Sequence, residues 1–222
     1  MAKGIIVEYD FAAMDGAELL FNTATKFLKD LDGIAFDSVI EARHFAGGNY
    51  QGCFEEYFPI VKTKKTALKA GRDFDAAVRQ AFTAALATPP GAAFVNFVST
   101  LAAKNVKVVI STRADIENEG VRNAFAALLG PNCELYHEES TTYGSVKWDA
   151  WRRACARTSI KPYNAVAVTG SGYGVKAALR AGIASVAVMN PRNAYQDYSG
   201  CDEFVKALDT AAAKKCLEIL RI

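Results

Sequence analysis

The chain changes character at Thr88-Pro89-Pro90-Gly91, and that change limits what it can fold into more than any other feature. Beyond it, short runs rich in Val, Ile and Ala alternate with segments of helical period. Strand signals fall over 106–110, 133–136, 165–168 and 185–189, and helix signals over 115–129, 146–157, 173–181 and 201–220. Alternation with short loops demands a parallel sheet covered on both faces, because a crossover helix must return the chain to each new parallel strand. Pro in the first turn starts a further helix, which turns Phe94, Phe97, Val98 and Leu101 inward.

Ahead of this punctuation only one strand is evident. Gly4-Ile5-Ile6-Val7 runs into Glu8-Tyr9-Asp10, which places two carboxylates on one side of the strand's carboxyl end. Open α/β sheets build their sites there. Two acids so close need a cation, a shared proton or water between them. Residues 15–86 then read as consecutive helices. The first covers 15–31 and ends at Asp32-Gly33; the second covers 39–45, with Asp37-Ser38 as its cap and a stop at Gly47-Gly48. The third covers 50–61, limited by Pro59, and the fourth opens at Asp73 with Phe74, Val78 and Phe82 in its apolar stripe. The expected class is therefore α/β: a Rossmann-like parallel sheet core from residues 1–14 and 87–222, with residues 15–86 inserted as an all-helical cap.

A chain of 222 residues has room for such a core and insert. Its net charge of +2 gives no signal for nucleic acid or a membrane surface. No apolar run approaches the roughly 20 residues that span a bilayer, and Met1-Ala2-Lys3 leads into the first strand without a signal-peptide pattern, so a cytoplasmic location is expected. The five cysteines are odd in number and show no Cys-x-x-Cys pair, which suits reduced thiols. With His44 and His137 as the sole histidines, neither at metal spacing, zinc is not expected. Gly170-Ser171-Gly172-Tyr173-Gly174 follows a strand and opens a helix, so its N–H groups are expected to cradle an anion. It lacks the third glycine of the dinucleotide fingerprint. Arg43 and His44 lie in the cap, and Tyr50, Phe54, Tyr57 and Phe58 read as cap core.

These residues resemble the haloacid dehalogenase superfamily of phosphohydrolases, in the subgroup with a helical cap after the first strand. That family's first motif, a hydrophobic strand followed by Asp-x-Asp-Gly-Thr/Val-Leu-x-Asp-Ser, aligns with Glu8-Tyr9-Asp10-Phe11-Ala12-Ala13-Met14-Asp15-Gly16. The Ser or Thr closing the next core strand matches Ser111, with Thr112 beside it, and the phosphate-binding lysine matches Lys147 in Val146-Lys147-Trp148-Asp149. The last motif, acid-Asp-Ser-x-x-Gly-Val, has its frame in Thr169-Gly170-Ser171-Gly172-Tyr173-Gly174-Val175, without the two acids.

The resemblance implies that Glu8 stands at the nucleophile's place and Asp10 at that of the acid/base. Ser111, Thr112, Lys147, Gly170 and Ser171 would be the phosphate or ligand contacts. It also implies Mg²⁺ between the phosphate and the acids of the first and last motifs, but here the departures matter. The extra methylene of Glu8 moves its oxygens by about 1 Å, a displacement that costs on the order of 100-fold in rate. Thr169 and Gly170 replace the best oxygen ligands a hard dication could have. An eroded Mg²⁺ site follows, with Glu8 and Asp10 the only remaining metal candidates and no cofactor expected. The partner would be a small phosphorylated or anionic molecule, and phosphohydrolase activity weak or absent. Two alternatives stand beside it. One is an active phosphatase using Mg²⁺ with Glu8 or Asp10, including a register in which Asp10 attacks and Ala12 takes the acid/base place. The other is a scaffold acting through protein contacts. Thr169→Glu with Gly170→Asp and Glu8→Asp would restore activity under the erosion account.

Overall fold

The structure is a computed structural model that describes residues 2–45, 50–138 and 147–222, without the side chains of 147 and 148. Six parallel strands form one sheet in the order β3-β2-β1-β4-β5-β6. They are β1 (Gly4–Glu8), β2 (Lys107–Thr112), β3 (Cys133–His137), β4 (Ala165–Thr169), β5 (Ala184–Val188) and β6 (Glu203–Val205). Alternation along β1 decides the layers. Ile5 and Val7 join Val108 and Ile110 on one face, under α6 (Ala92–Ala102), α7 (Glu119–Phe125) and α10 (Thr210–Ile219). Ile6 joins Val109 and Ala167 on the other, under α8 (Lys147–Arg157) and α9 (Gly172–Ala181). Both faces being covered, the strands are apolar throughout rather than alternating.

Between β1 and α6 lies the insertion: α2 (Gly16–Asp32), α3 (Ser38–Ile40) running into a π-turn (Glu41–Phe45), α4 (Tyr50–Val61) and α5 (Ala67–Leu86). Gly33 closes α2 in the left-handed conformation at φ 64°, which glycine adopts without a Cβ clash. The cap core is aromatic. Ring centroids of Tyr50 and Phe74 lie 4.7 Å apart, Phe27 and Phe74 5.2 Å, and Phe45 and Phe54 5.3 Å. Tyr50, Phe54, Tyr57 and Phe58 are buried in it, as their sequence reading had them.

Four boundaries differ from expectation. The strand stops at Glu8, and Tyr9–Ala12 forms a helical turn, α1, because Tyr9 is drawn beneath α6 and α7 to sit 4.8 Å from Phe94 and 5.1 Å from Phe125. α5 starts at Ala67 rather than Asp73; Ala67, Leu68, Lys69 and Ala70 are strong helix formers, and Lys69 pairs with Asp73 at 2.5 Å. α7 covers 119–125 only, capped by Asn118. Residues 201–220 are not one helix. Glu203–Val205 adds an edge strand beside β5, and α10 begins after Asp209, whose carboxylate accepts the N–H groups of Ala211 and Ala212. The expected stop at Gly47-Gly48 lies outside the described residues. All five cysteines are free, and Cys53, Cys133, Cys155 and Cys216 are buried. Among the described residues no helix is long and apolar enough to cross a membrane.

Candidate functional site

The carboxyl ends of β1, β2 and β4 converge beneath the cap. Glu8 is the last residue of β1, in register with Ser111 of β2, while Thr169 closes β4 one strand away. Glu8 is only 3% exposed, yet it has partners: the Thr169 hydroxyl donates a short hydrogen bond to Glu8 Oε2, and the Ser171 hydroxyl reaches the same oxygen at 3.4 Å. Burying a carboxylate in this way is tolerable because hydroxyls satisfy it.

Asp10 sits on α1, two residues past Glu8, and is 1% exposed. Its Oδ1 accepts from the Thr112 hydroxyl at 2.6 Å and its Oδ2 from the Arg113 backbone N–H at 2.8 Å. Burial pushes its pKa up from 3.8 to about 6, against the lowering pull of those two bonds and of the nearby Arg113 charge. The helical turn therefore aims the two acids at different strands, Glu8 toward β4 and Asp10 toward β2.

On the β2 side, the Ser111 hydroxyl donates to Glu138 Oε2 at 3.1 Å. Arg113 Nη1 donates to the Tyr50 hydroxyl of α4 at 3.0 Å, and the guanidinium carbon lies 5.0 Å from the Phe11 ring centroid. Burial pulls the Arg113 pKa down, but Tyr50, Glu138, Glu8 and Asp10 outweigh it and raise the value, which keeps the guanidinium charged. Arg113, Glu138 and Tyr50 were missed in sequence reasoning. The signal available was the Ser111-Thr112-Arg113 run, a cation directly after a strand's last hydroxyl.

The loop after β4 bonds back onto its own strand end and onto the segment after β5. The Ser171 N–H bonds Thr169 Oγ1 at 3.1 Å, the Gly172 N–H bonds Gln196 Oε1 at 2.8 Å and the Gly174 N–H bonds Ser171 Oγ at 3.0 Å. Those three N–H groups therefore already have partners within the fold. The Gly170 carbonyl accepts from Asn193 Nδ2 at 3.0 Å and the Tyr198 hydroxyl at 3.1 Å. A Cβ on Gly170 would run into the Phe11 carbonyl of α1. An aspartate there requires a backbone shift, so the triple replacement that looks restorative in sequence is blocked sterically. The side chain of Lys147 lies outside the described residues.

Thr169 spends its hydroxyl on Glu8, position 170 has no side chain and no room for one, and no group of three or more His, Cys, Asp or Glu could hold a metal among the described residues. Glu8 and Asp10, the remaining metal candidates in sequence, are turned toward different partners.

A second set of charges ties cap to core. Arg192, in the turn after β5, places Nε and Nη2 at 2.6 and 2.5 Å from Glu18 Oε2 of α2, and Nη1 at 3.1 Å from Glu41 Oε2 of the π-turn. Its guanidinium carbon lies 4.0 Å from the Phe21 ring centroid.

No protein-family model matches the sequence, and no curated protein matches it. Solved structures do. A haloacid dehalogenase family IA variant 3 hydrolase from Entamoeba histolytica superposes with TM-score 0.74 at 12% identity, over 99% of this chain and 100% of that one. Beta-phosphoglucomutase from Clostridium difficile gives 0.72 at 12%, over 100% and 98%. CbbY from Rhodobacter sphaeroides, solved in complex with phosphate, gives 0.71 at 15%, over 100% of both chains. The chain has the haloacid dehalogenase-like fold, with a helical cap. In that fold the strand ends carrying Glu8, Ser111 and Thr169 lie at the carboxyl edge of the sheet, where α/β proteins bind their ligands.

Proposed function

We propose that this protein is a haloacid dehalogenase-like ligand binder, with little or no phosphohydrolase activity, that takes a small phosphorylated or anionic molecule at the ends of β1, β2 and β4 without a divalent metal. One observation carries the reading: the Thr169 hydroxyl bonds the Glu8 carboxylate at the place where a metal-dependent relative needs an acid. A carboxylate held by hydroxyls is a poor nucleophile toward phosphorus when no cation draws the two anions together. Both Asp10 oxygens are likewise engaged, so a proton relay through Asp10 must first break a bond to Thr112 or Arg113. Support for an anionic ligand comes from the Ser111 hydroxyl and the charged Arg113 on the β2 side, and from CbbY, a protein of the same fold that was solved with phosphate.

The test is a panel of phosphate monoesters assayed for hydrolysis and for thermal stabilisation, each with EDTA and with Mg²⁺. Stabilisation that is indifferent to EDTA, with no turnover, is expected. Mg²⁺-dependent turnover that disappears in Glu8→Gln and Asp10→Asn overturns the reading and makes the protein a working hydrolase.

A further inference from the structure

Arg113 is a half-buried cation with unusually little to do. A guanidinium carries five N–H donors in a planar fork. Among the described residues, Arg113 makes one side-chain hydrogen bond, to a neutral phenol. A phenol is neutral near pH 7, and burial pushes the Tyr50 pKa further up, to about 12, the pull of Arg113 notwithstanding. Among the described residues, no carboxylate is bonded to the fork. Glu8 takes the Thr169 and Ser171 hydroxyls, Glu138 takes the Ser111 hydroxyl, and Asp10 is bonded by the backbone N–H of Arg113 rather than by its side chain.

The fork is also held in place. The backbone N–H of Arg113 is fixed by Asp10 at 2.8 Å, the side chain lies over Phe11, and one nitrogen is tied to the cap through Tyr50. An arginine oriented from three sides at the sheet's carboxyl edge, with one of its five donors bonded among the described residues, is arranged for a planar two-oxygen partner.

We propose that Arg113 is the anion anchor of this site, its fork binding the phosphoryl or carboxylate oxygens of the ligand while its bond to Tyr50 carries that contact to the cap. The fixed guanidinium provides positive charge among the carboxylates Glu8, Asp10 and Glu138. This assignment rests on the ligand-binding reading above and adds to it the binding residue, the chemistry it recognises and the element that senses occupancy. Tyr50 opens α4, so a ligand that draws Arg113 toward itself pulls on the cap's aromatic core through one hydrogen bond.

Calorimetric titration in EDTA with inorganic phosphate, and separately with acetate, tests the assignment. The wild type is expected to bind at least one of them. Arg113→Met should weaken that binding by about 30-fold, the range of a lost charged hydrogen-bond pair. Arg113→Lys should recover part of the loss by restoring charge without the fork, and Tyr50→Phe should cost less than either. Binding of phosphate alone assigns a phosphoryl ligand, and of acetate alone a carboxylate. If the wild type binds and Arg113→Met binds equally well, the anchor is wrong while the binding function stands. If the wild type binds neither anion, the binding function falls, and the anchor with it. Phenylglyoxal labelling of the wild type keeps the question answerable should the variants misfold. Phosphate or acetate must slow modification of Arg113, read by peptide mass, and an unchanged rate rejects the proposal.

Discussion

Asp10 shows how a single side chain can be stabilised locally and still cost the fold something. Its two hydrogen bonds do not offset the loss of water, so its pKa lies at about 6 instead of 3.8. A carboxyl whose folded pKa is raised binds protons more tightly in the native state than in the unfolded chain. Native stability therefore falls as pH climbs from about 4 to about 6, then levels off. Asp10→Asn removes that titration. Its stability relative to wild type should rise across the same window by an amount on the order of 3 kcal/mol. Urea unfolding at steps from pH 4 to pH 8 measures it, and a difference that is flat with pH refutes the burial account. Glu8 and Asp10 were legible in sequence as a pair, because alternate acids ending an Ile-Ile-Val run fall at the carboxyl end of a strand. Their separate partners were not, since the helical turn that parts them is imposed by Tyr9 finding Phe94 and Phe125, residues remote along the chain.

At the scale of elements, the join between cap and core depends on the turn after β5. Arg192 holds α2 and the π-turn together, and Asn190 Nδ2 donates to Asp15 Oδ1 at 3.1 Å from the same turn. The Glu41 side chain is 11% exposed, so removal of its partner leaves a nearly buried charge. Burial already raises the Glu41 pKa against the pull of Arg192. Arg192→Met should cost on the order of 2 kcal/mol near neutral pH, discounted for the exposure of Glu18. The deficit should shrink on acidification as Glu41 protonates, and the Glu41→Gln, Arg192→Met double variant should regain part of it. Urea melts of the single and double variants check this; equal losses in both argue against the clasp. The sheet, its layers and the inserted helices were legible because strands covered on both faces read as apolar runs and helices show their period. β6 was not. Three residues on an edge, with Phe204 exposed, carry no run to detect, and what places them is pairing with β5.

Across the whole molecule, one continuous apolar cluster contains Phe54 and Phe74 of the cap together with Val7, Phe97 and Ile110 of the core. Phe11 and Phe82 meet at 6.1 Å where the two parts join. The boundary drawn at residues 15 and 86 marks topology, then, and not a gap in the packing. The buried sulfurs turn this continuity into something measurable. Cys53 lies in α4, Cys133 in β3, Cys155 in α8 and Cys216 in α10, while Cys201 is partly exposed. Burial raises the thiol pKa of Cys53, Cys133 and Cys216 to about 12 and of Cys155 to about 11, so none supplies thiolate while the fold is closed. Pulsed alkylation resolved by peptide mass should tag Cys201 first and the other four at one common rate. A faster clock at Cys53 alone would mean that the cap breathes while the sheet stays shut. Nature has thus left a stopwatch in the cap, in the sheet's edge and on each side of the sheet, and no foreign probe is required to read them.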